Sequence, residues 1–220
     1  MSRGLVAPAS RWTPHVAYAV GLIATDGNLS KDGRHLALSS IDRPLIESAR
    51  RCLGLANTIG VGVKDGRLIY RLQWGDRDFY DWLCGIGLTP AKSLTLGPLQ
   101  IPDAYFADFL RGCIDGDGTI VRYTDRSQVS TNPRYVYERL YVNLVSASRP
   151  FLGWIRDTVM RLIGARGAIS VSRKPPGSVW YVLRYGKRAS RRVLWMMYYA
   201  PDVPCLARKR DKAAAPFLFD

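Results

Sequence analysis

The chain has 220 residues and is strongly basic, with 32 lysine and arginine residues against 18 aspartate and glutamate residues. The formal net charge of +14 favours a polyanionic partner, although a genome that prefers arginine codons is an alternative explanation for the 25 arginines. No apolar run approaches the roughly 18 residues that a membrane-spanning helix needs, and the four scattered cysteines lack the spacing of a zinc site.

The first residues predict no export signal. Residues 1–13 contain two arginines and no acid, and they are too few and too poor in apolar side chains for a secretory signal, so we expect a short disordered leader. The cysteines are expected to be reduced thiols of an intracellular protein, in the cytoplasm or nucleoid of a prokaryote or in an organelle matrix. We expect a monomer without membrane association.

Residues 14–87 are predicted to form a helix, a hairpin, a helix, a second hairpin and a third helix. Thr13 and Pro14 are a typical helix start, and Asp42 is expected to cap the second helix. Each hairpin turns at an Asp-Gly pair between candidate strands. The predicted elements are helices over about 14–26, 44–53 and 76–84 and hairpins over 28–40 and 59–74.

Residues 103–220 repeat this order after a linker, 88–102, that is rich in Pro, Gly and Thr. Ser148 is expected to cap the second helix of this half. The predicted elements are helices over about 103–117, 149–163 and 187–199, strands over 119–123, 135–145, 168–173 and 179–185, and an extra C-terminal helix over 204–215. The chain is therefore expected to divide into a leader, a first repeat, a linker and a second repeat with its extra helix.

The pattern predicts an α+β fold. Hairpin strands with one apolar face are best buried by helices on that face, which leaves the other face of each antiparallel sheet open. A twisted sheet with a polar, basic open face forms a saddle that can lie along the major groove of DNA. Residues 103–220, with 20 basic and 10 acidic side chains, carry most of the excess charge.

Two stretches, residues 20–27 and 111–118, repeat one pattern 91 residues apart. Each is an apolar run with one internal glycine that ends in Asp-Gly. Gly21 and Gly112 are expected to leave flat spots at an interface where the two helices cross closely. Asp26 and Asp117 would then lie side by side at the ends of the helix pair.

The paired stretches resemble the motif of the LAGLIDADG homing endonucleases, in the single-chain form that holds two copies. Against its nine letters the copies span residues 19–27 and 110–118, and the glycine, the isoleucine, the last aspartate and the final glycine match in both. The first copy has Ala24 at the sixth letter, where the second keeps Asp115. The resemblance implies two pseudo-symmetric αββαββα halves packed through the motif helices, with each sheet reading one half of a long DNA site.

The resemblance also implies a site-specific double-strand DNA endonuclease that uses Mg²⁺ or Mn²⁺ and is encoded by an intron or a free-standing gene. The last acid of each copy, Asp26 and Asp117, is expected to bind the metal, together with the backbone carbonyls of Thr25 and Gly116. Carboxylates hold magnesium for phosphodiester hydrolysis, and the symmetry supplies one for each DNA strand, cut across the minor groove.

Three other charged residues lie near this predicted centre. Lys92 and Lys209 follow the last helix of each half and resemble the peripheral active-site lysines of the family, with catalytic roles as cations near the scissile phosphate. A basic helix end or a plain phosphate contact is the alternative for both. Asp115 lies two residues before Asp117, which on a helix turns it away from the metal, so it is predicted to be a solvated or capping acid.

Strand alternation selects the residues predicted to face DNA, because they are out of phase with the apolar positions. Arginine and lysine suit guanine, and asparagine and glutamine suit adenine. A merely solvated strand face is the alternative, and a slip of one residue would reverse the whole set. The predicted DNA-binding residues are Asn28, Ser30, His35, Ser39, Lys64, Arg71, Gln73, Thr119, Tyr123, Tyr137, Arg139, Tyr141, Asn143, Ser170, Ser172, Lys174 and Arg184.

Two other functions stay open at this point. A maturase would use the same basic saddle to hold intron RNA and assist splicing. A transcription regulator derived from the same family would bind DNA without cleaving it, and it would be expected to lack one of the two acids or to carry an appended helix-turn-helix domain.

Overall fold

The computed structural model describes residues 12–128, 130–174 and 177–213. The first half contains helix α1 (Pro14–Asp26), strands β1 (Gly27–Leu29) and β2 (His35–Ser40), helix α2 (Arg43–Cys52), strands β3 (Gly60–Lys64) and β4 (Arg67–Gly75), and helix α3 (Arg77–Gly85). The second half contains α4 (Phe106–Asp117), β5 (Gly118–Asp125), β6 (Tyr137–Ser146), α5 (Arg149–Ile163), β7 (Gly167–Lys174), β8 (Ser178–Tyr185), α6 (Lys187–Met197) and α7 (Ala207–Ala213).

Each half contains one antiparallel sheet of four strands. The strand orders are β1-β2-β4-β3 and β5-β6-β8-β7, so the second half repeats the topology of the first. The register places Leu36 opposite Trp74 in the first sheet and Leu144 opposite Leu183 in the second, and these side chains are buried under the helices. The predicted α+β class with two αββαββα halves is confirmed.

Helices α1 and α4 pack against each other and join the two halves. Residues 16–24 of α1 are all buried, as expected of a helix that is apolar on every side. A Cβ built on Gly21 would lie 2.2 Å from the carbonyl oxygen of Phe109, and one built on Gly112 would lie 2.1 Å from that of Tyr18. The two glycines therefore allow the helix backbones to touch, and any larger residue would force the helices apart.

Side chains cap three of the described helices at their N-termini. Thr13, Asp76 and Ser148 accept backbone N–H groups in the first turns of α1, α3 and α5. The predicted cap of α2 is correct in position but lacks the side-chain hydrogen bond. Asp42 holds the N-cap position but makes no capping hydrogen bond there, because its carboxylate pairs with Arg208 of the second half.

The apolar side chains of strand β3 are exposed, although the sequence predicted that helices would bury one face of each hairpin strand. Val61 and Val63 pair with Tyr70 and Leu68 on the helix side of the sheet, yet they are 63% and 72% exposed. This edge strand therefore lies beyond the helices that cover β2 and β4.

The segment predicted as a linker packs against the core. Leu88, Leu96 and Leu99 are buried, and the hydroxyl of Ser148 donates to the carbonyl of Leu96. Residues 88–102 therefore fill the space between the halves and fix the position of the side chains they carry.

Parts of the predicted ends lie outside the described residues, namely residues 1–11 of the leader and 214–215 of the C-terminal helix. At the N-terminal boundary, Trp12 packs on Trp82 with ring centroids 4.8 Å apart. None of the helices within the described ranges has the length and apolar character needed to cross a bilayer.

Candidate functional site

The two central helices each end in an aspartate, and the two ends lie together. Asp26 is the last residue of α1 and Asp117 the last residue of α4. A Cβ built on Gly116 would lie 2.1 Å from Thr25 Oγ1 and 2.5 Å from Asp26 Oδ2, so the end of α4 lies directly against the carboxylate of α1. One acid from each half therefore contributes to the same site, where Asp26 is half-buried and Asp117 reaches the surface.

The surroundings make ionisation of both acids costly. Burial and the neighbouring Asp117 carboxylate raise the pKa of Asp26 to about 6, whereas Lys209, the Thr25 hydroxyl and Lys92 act in the opposite direction. The pKa of Asp117 is also raised, because surrounding protein atoms partly desolvate its carboxylate, and the same two lysines oppose this rise. Two such carboxylates repel each other in the absence of a cation.

The site offers oxygen donors. Among the described residues, no three His, Cys, Asp or Glu side chains converge on one point. The donors at the helix ends are thus the two carboxylates and nearby backbone carbonyls, a set that suits Mg²⁺, Mn²⁺ or Ca²⁺ better than zinc.

Lys92 and Lys209 lie beneath the helix ends with their side chains buried. Lys209 Nζ donates to carbonyl oxygens at the end of α4, among them those of Ile114 at 2.7 Å and Gly118 at 2.8 Å. Lys92 Nζ donates to the carbonyl of Gly27, which occupies in the first half the position that Gly118 occupies in the second. Burial lowers the pKa of Lys92 to about 8 and also lowers that of Lys209, while nearby aspartates favour the charged form of each.

The strand residues predicted to face DNA in the first half lie on the open face of its sheet. The register pairs Ser39 with Arg71 on this face, between the buried Leu38 and Leu72 of the other face. Ser30 follows β1 directly and continues its alternation. The strand residues on the open face are Asn28, His35, Ser39, Lys64, Arg71 and Gln73.

The second sheet has the same phase, and several of its polar side chains bond to one another. Asn143 donates to Thr119 Oγ1 at 3.2 Å and accepts from Arg184 Nε at 3.0 Å. Arg139 pairs with Asp125. The predicted residues on the open face are Thr119, Tyr123, Tyr137, Arg139, Tyr141, Asn143, Ser170, Ser172 and Arg184, whereas the side chain of Lys174 lies outside the described residues.

No protein-family model matches the sequence, and no curated protein matches it. Solved structures do match its three-dimensional structure. The homing endonuclease I-DmoI in complex with DNA and calcium gives a TM-score of 0.55 at 15% identity, over 90% of this chain and 96% of that one. The meganuclease I-SmaMI bound to uncleavable DNA gives a TM-score of 0.56 at 11% identity, over 92% and 87%. The N-terminal LAGLIDADG domain of DUF199/WhiA gives 0.53 at 12% identity, over 90% and 88%.

The chain has the LAGLIDADG fold. Full-length DUF199/WhiA from Thermatoga maritima also matches, with a TM-score of 0.55 at 13% identity over 96% of this chain. The chain spans 64% of that protein, which is less than two thirds of its length. At these identities the likeness establishes the fold, and the activity has to be argued from the site.

One acid of the second LAGLIDADG copy has a different environment from the one predicted. Asp115 is buried rather than solvated, and its Oδ2 accepts the hydroxyl of Tyr18 at 2.9 Å and the backbone N–H of Leu206 at 2.7 Å. Burial raises its pKa to about 6. The helical spacing correctly turns Asp115 away from Asp117, but the segment that leads into α7 folds back over α4 and covers it.

Arg111 is the second residue of the second copy and received no role from the sequence. It is fully buried on α4, where it pairs with Asp108, donates from Nε to the carbonyl of Pro204 at 2.8 Å and also donates to the carbonyl of Met197. It therefore ties the C-terminal segment to the central helix. The signal in the sequence that could have identified this role is an arginine inside an otherwise apolar run.

The open faces also contain residues that the sequence did not select. Arg67 pairs with Lys64 across the β3–β4 turn, but the predicted strand began one residue later. Trp180 and Val182 lie opposite Ser172 and Ser170 on the open face of the second sheet. The predicted DNA-binding set contains polar and charged side chains and left these two out, although their alternation with the buried Leu183 could have placed them on the open face.

Proposed function

We propose that the protein is a site-specific double-strand DNA endonuclease of the homing type, which hydrolyses phosphodiester bonds with Mg²⁺ or Mn²⁺. The observation that carries the proposal is the convergence of Asp26 and Asp117, one from each half, at the end of the helix pair. Two similar folds give further support, since I-SmaMI was solved on DNA and I-DmoI on DNA with calcium or manganese.

The residues at the helix ends fit a divalent cation. The carboxylates of Asp26 and Asp117 would hold it with the backbone carbonyls of Thr25 and Gly116, and the raised pKa values of both acids are the expected mark of a site suited to positive charge. When bound, magnesium supplies charge neutralisation at the scissile phosphate and lowers the pKa of a water molecule. The close approach at Gly116 leaves no room for a side chain, so the donors stay together.

The chain's own residues would orient the duplex. The two open sheet faces, with arginines such as Arg71 and Arg184 at the surface, would lie along the major groove and read one half-site each. Because both acids come from one chain, we propose that a monomer cuts both strands.

Lys92 and Lys209 would act on the carboxylates rather than directly on the phosphate. Their ammonium groups already donate to backbone carbonyls at the helix ends, and both lower the pKa of Asp26 and Asp117. We therefore assign them to holding the acids ionised and the helix ends in place.

The test uses duplexes that the wild-type protein selects by binding from a random library. We predict that Asp26→Asn and Asp117→Asn each retain binding to these duplexes and lose double-strand cleavage in Mg²⁺ by at least about 100-fold, because each removes a metal ligand. The matched control is Asp81→Asn, which makes the same charge change at an exposed position of α3, on the helix side of the first sheet and away from its open face. Efficient double-strand cutting by both site variants would exclude the proposal.

The alternative of a DNA-binding regulator without cleavage has less support, because neither acid is missing. Wild-type protein that binds the selected duplexes but leaves them intact in both Mg²⁺ and Mn²⁺ would favour that regulator.

A further inference from the structure

The outer face of α6 carries a basic stripe that the proposed endonuclease does not use. Arg188 lies three and four residues before Arg191 and Arg192, and Trp195 lies four and three residues after them, which places all four on one side of the helix. The opposite side, with Val193 and Leu194 among its members, is buried. Trp195 is 71% exposed. We call the four residues Arg188, Arg191, Arg192 and Trp195 the α6 outer face.

A groove opens beside the three arginines of this face, and Trp195 lies outside its lining. It has a volume of about 540 Å³ and is lined by Arg166, Arg188, Arg191 and Arg192 together with Gly164 and Ala165 of the α5–β7 connection and Ala189 of α6. None of the described residues that line it is acidic. Arg192 Nη1 donates to the carbonyl of Gly164 at 3.1 Å, which holds one guanidinium at the rim of the groove. A groove lined by four arginines is electrostatically complementary to a phosphate backbone.

The corresponding helix of the first half does not have this stripe. Helix α3 occupies in the first half the place that α6 occupies in the second, and it carries Arg77 with two acids, Asp78 and Asp81. Helix α6 carries four basic residues and no acid. Since both helices hold the same place in the fold, that place does not by itself require a row of arginines, and their concentration on α6 points to a ligand in addition to the contact of Arg192 with Gly164.

The α6 outer face lies away from the DNA saddle. Helix α6 packs on β6 and β8 from the side of the buried residues Leu144 and Leu183, whereas Asn143 and Arg184 point to the open face. The sheet therefore separates the two surfaces, and a duplex on the saddle leaves the groove free.

We propose that the α6 outer face and its groove bind single-stranded nucleic acid, with the arginines on the phosphates and Trp195 stacked on an unpaired base. Exposed aromatic side chains beside arginine are the usual means of holding unstacked bases, because every base offers a π face. A duplex hides these faces, so the tryptophan selects for a single strand. The protein then has two nucleic-acid surfaces, one for duplex DNA and one for a single strand.

The test measures fluorescence anisotropy of a labelled 20-nucleotide RNA of mixed sequence, and of the single-stranded DNA of the same sequence, at about 100 mM salt. We expect Trp195→Ala to weaken binding at least about fivefold and Trp195→Phe to restore most of it, since stacking on an aromatic ring is retained. We expect the double variant Arg188→Gln/Arg192→Gln to weaken binding and to reduce the slope of log K against log salt by about 1.4, the value for two phosphate contacts on a single strand.

Two control variants separate this surface from the rest of the molecule. Arg51→Gln/Arg77→Gln removes the same charge from the helices of the first half, and Arg71→Gln/Arg184→Gln removes it from the saddle. Removing two positive charges is expected to lower affinity for any nucleic acid uniformly. After allowance for this uniform loss, we expect both controls to bind the single strands within about twofold of wild type. All variants change surface positions, and thermal unfolding verifies that each is folded.

The outcomes decide the proposal independently of cleavage. Binding of either strand supports the proposal; binding of RNA alone or of single-stranded DNA alone identifies the source, and equal binding shows that the surface accepts both. The proposal is overturned if wild-type protein binds neither strand, if the Trp195 and Arg188/Arg192 variants bind like wild type, or if only the saddle variant loses binding.

Discussion

Asp26 has a carboxylate with a folded-state pKa of about 6, above the ordinary value of 3.8. Between these values the folded protein binds a proton that the unfolded chain does not, so the stability contributed by this group is present below about pH 4 and is lost as the pH rises through about 6. Burial of the Asp26 carboxylate and the nearby charge of Asp117 cause this rise in pKa. The stability that is lost when Asp26 ionises therefore measures the same burial and charge repulsion that characterise the proposed cation site.

We therefore predict that Asp26→Asn raises the free energy of unfolding at pH 7.5 without divalent ions, and that the gain over wild type disappears near pH 4. Urea unfolding at the two pH values measures the difference. Adding Mg²⁺ should stabilise the wild type more than the variant, because a cation that binds the folded state selectively raises its stability. A variant that is less stable than wild type at pH 7.5 would refute this picture of Asp26.

The two lysines lead to a second prediction at this scale. Lys209 satisfies several backbone carbonyls at the end of α4, whereas Lys92 is bonded to one, that of Gly27. A buried carbonyl left without a donor costs about 1–3 kcal/mol. Lys209→Met, which keeps most of the side-chain volume, should cost about 3 kcal/mol of stability, and Lys92→Met about 1 kcal/mol. Equal losses in urea unfolding would contradict the different anchoring of the two ammonium groups.

Local sequence is sufficient to predict the position of a residue when that position depends on the residue's own helix. It is insufficient when the environment of the residue depends on distant segments. The repeated pattern predicts that Asp26 and Asp117 end two helices, and each is the last residue of its helix. The environment of Asp115 depends on Leu206, 91 residues away, and the hydrogen bonds of Lys209 are made to residues equally remote. No periodicity in the sequence contains that information.

At the scale of elements, the crossing of α1 and α4 depends on two glycines. We predict that Gly21→Ala and Gly112→Ala each lower the free energy of unfolding by more than about 3 kcal/mol, because the new Cβ would lie about 2 Å from a carbonyl oxygen of the other helix. The matched control is Gly153→Ala in α5, where a Cβ meets nothing within 4 Å and where alanine should stabilise the helix by up to about 1 kcal/mol. Thermal unfolding ranks the three, and a neutral effect at either crossing glycine would show that the helices are further apart.

Element types and their order follow from turn and cap signals, while the packing of the elements against one another does not. The Asp65-Gly66 turn has both residues at positive φ, 50° and 72°, which is the conformation that such a pair favours in a two-residue hairpin. The exposure of Val61 contradicts the prediction of one buried apolar face on each strand, and the burial of Leu88 shows that the segment predicted as a linker packs against the core. Both depend on contacts between elements that are distant in the sequence, which is a tertiary property.

At the scale of the whole molecule, two sheets with basic open faces flank one pair of acids. The LAGLIDADG fold is shared with proteins solved on DNA, and the net charge of +14 is consistent with a duplex partner. Neither fact specifies the target sequence, because base choice depends on rotamers and on the deformation of DNA as well as on residue type.

Cleavage mapping by the wild-type protein tests the central claim most directly. Duplexes selected by binding from a random library are incubated with Mg²⁺, and the ends of the products are sequenced. We predict one fixed break in each strand, both at the centre of the protected site, because Asp26 and Asp117 lie together between the two sheets. Duplexes that stay bound and intact, or breaks scattered outside the protected site, would contradict the claim that the two acids form a nuclease centre.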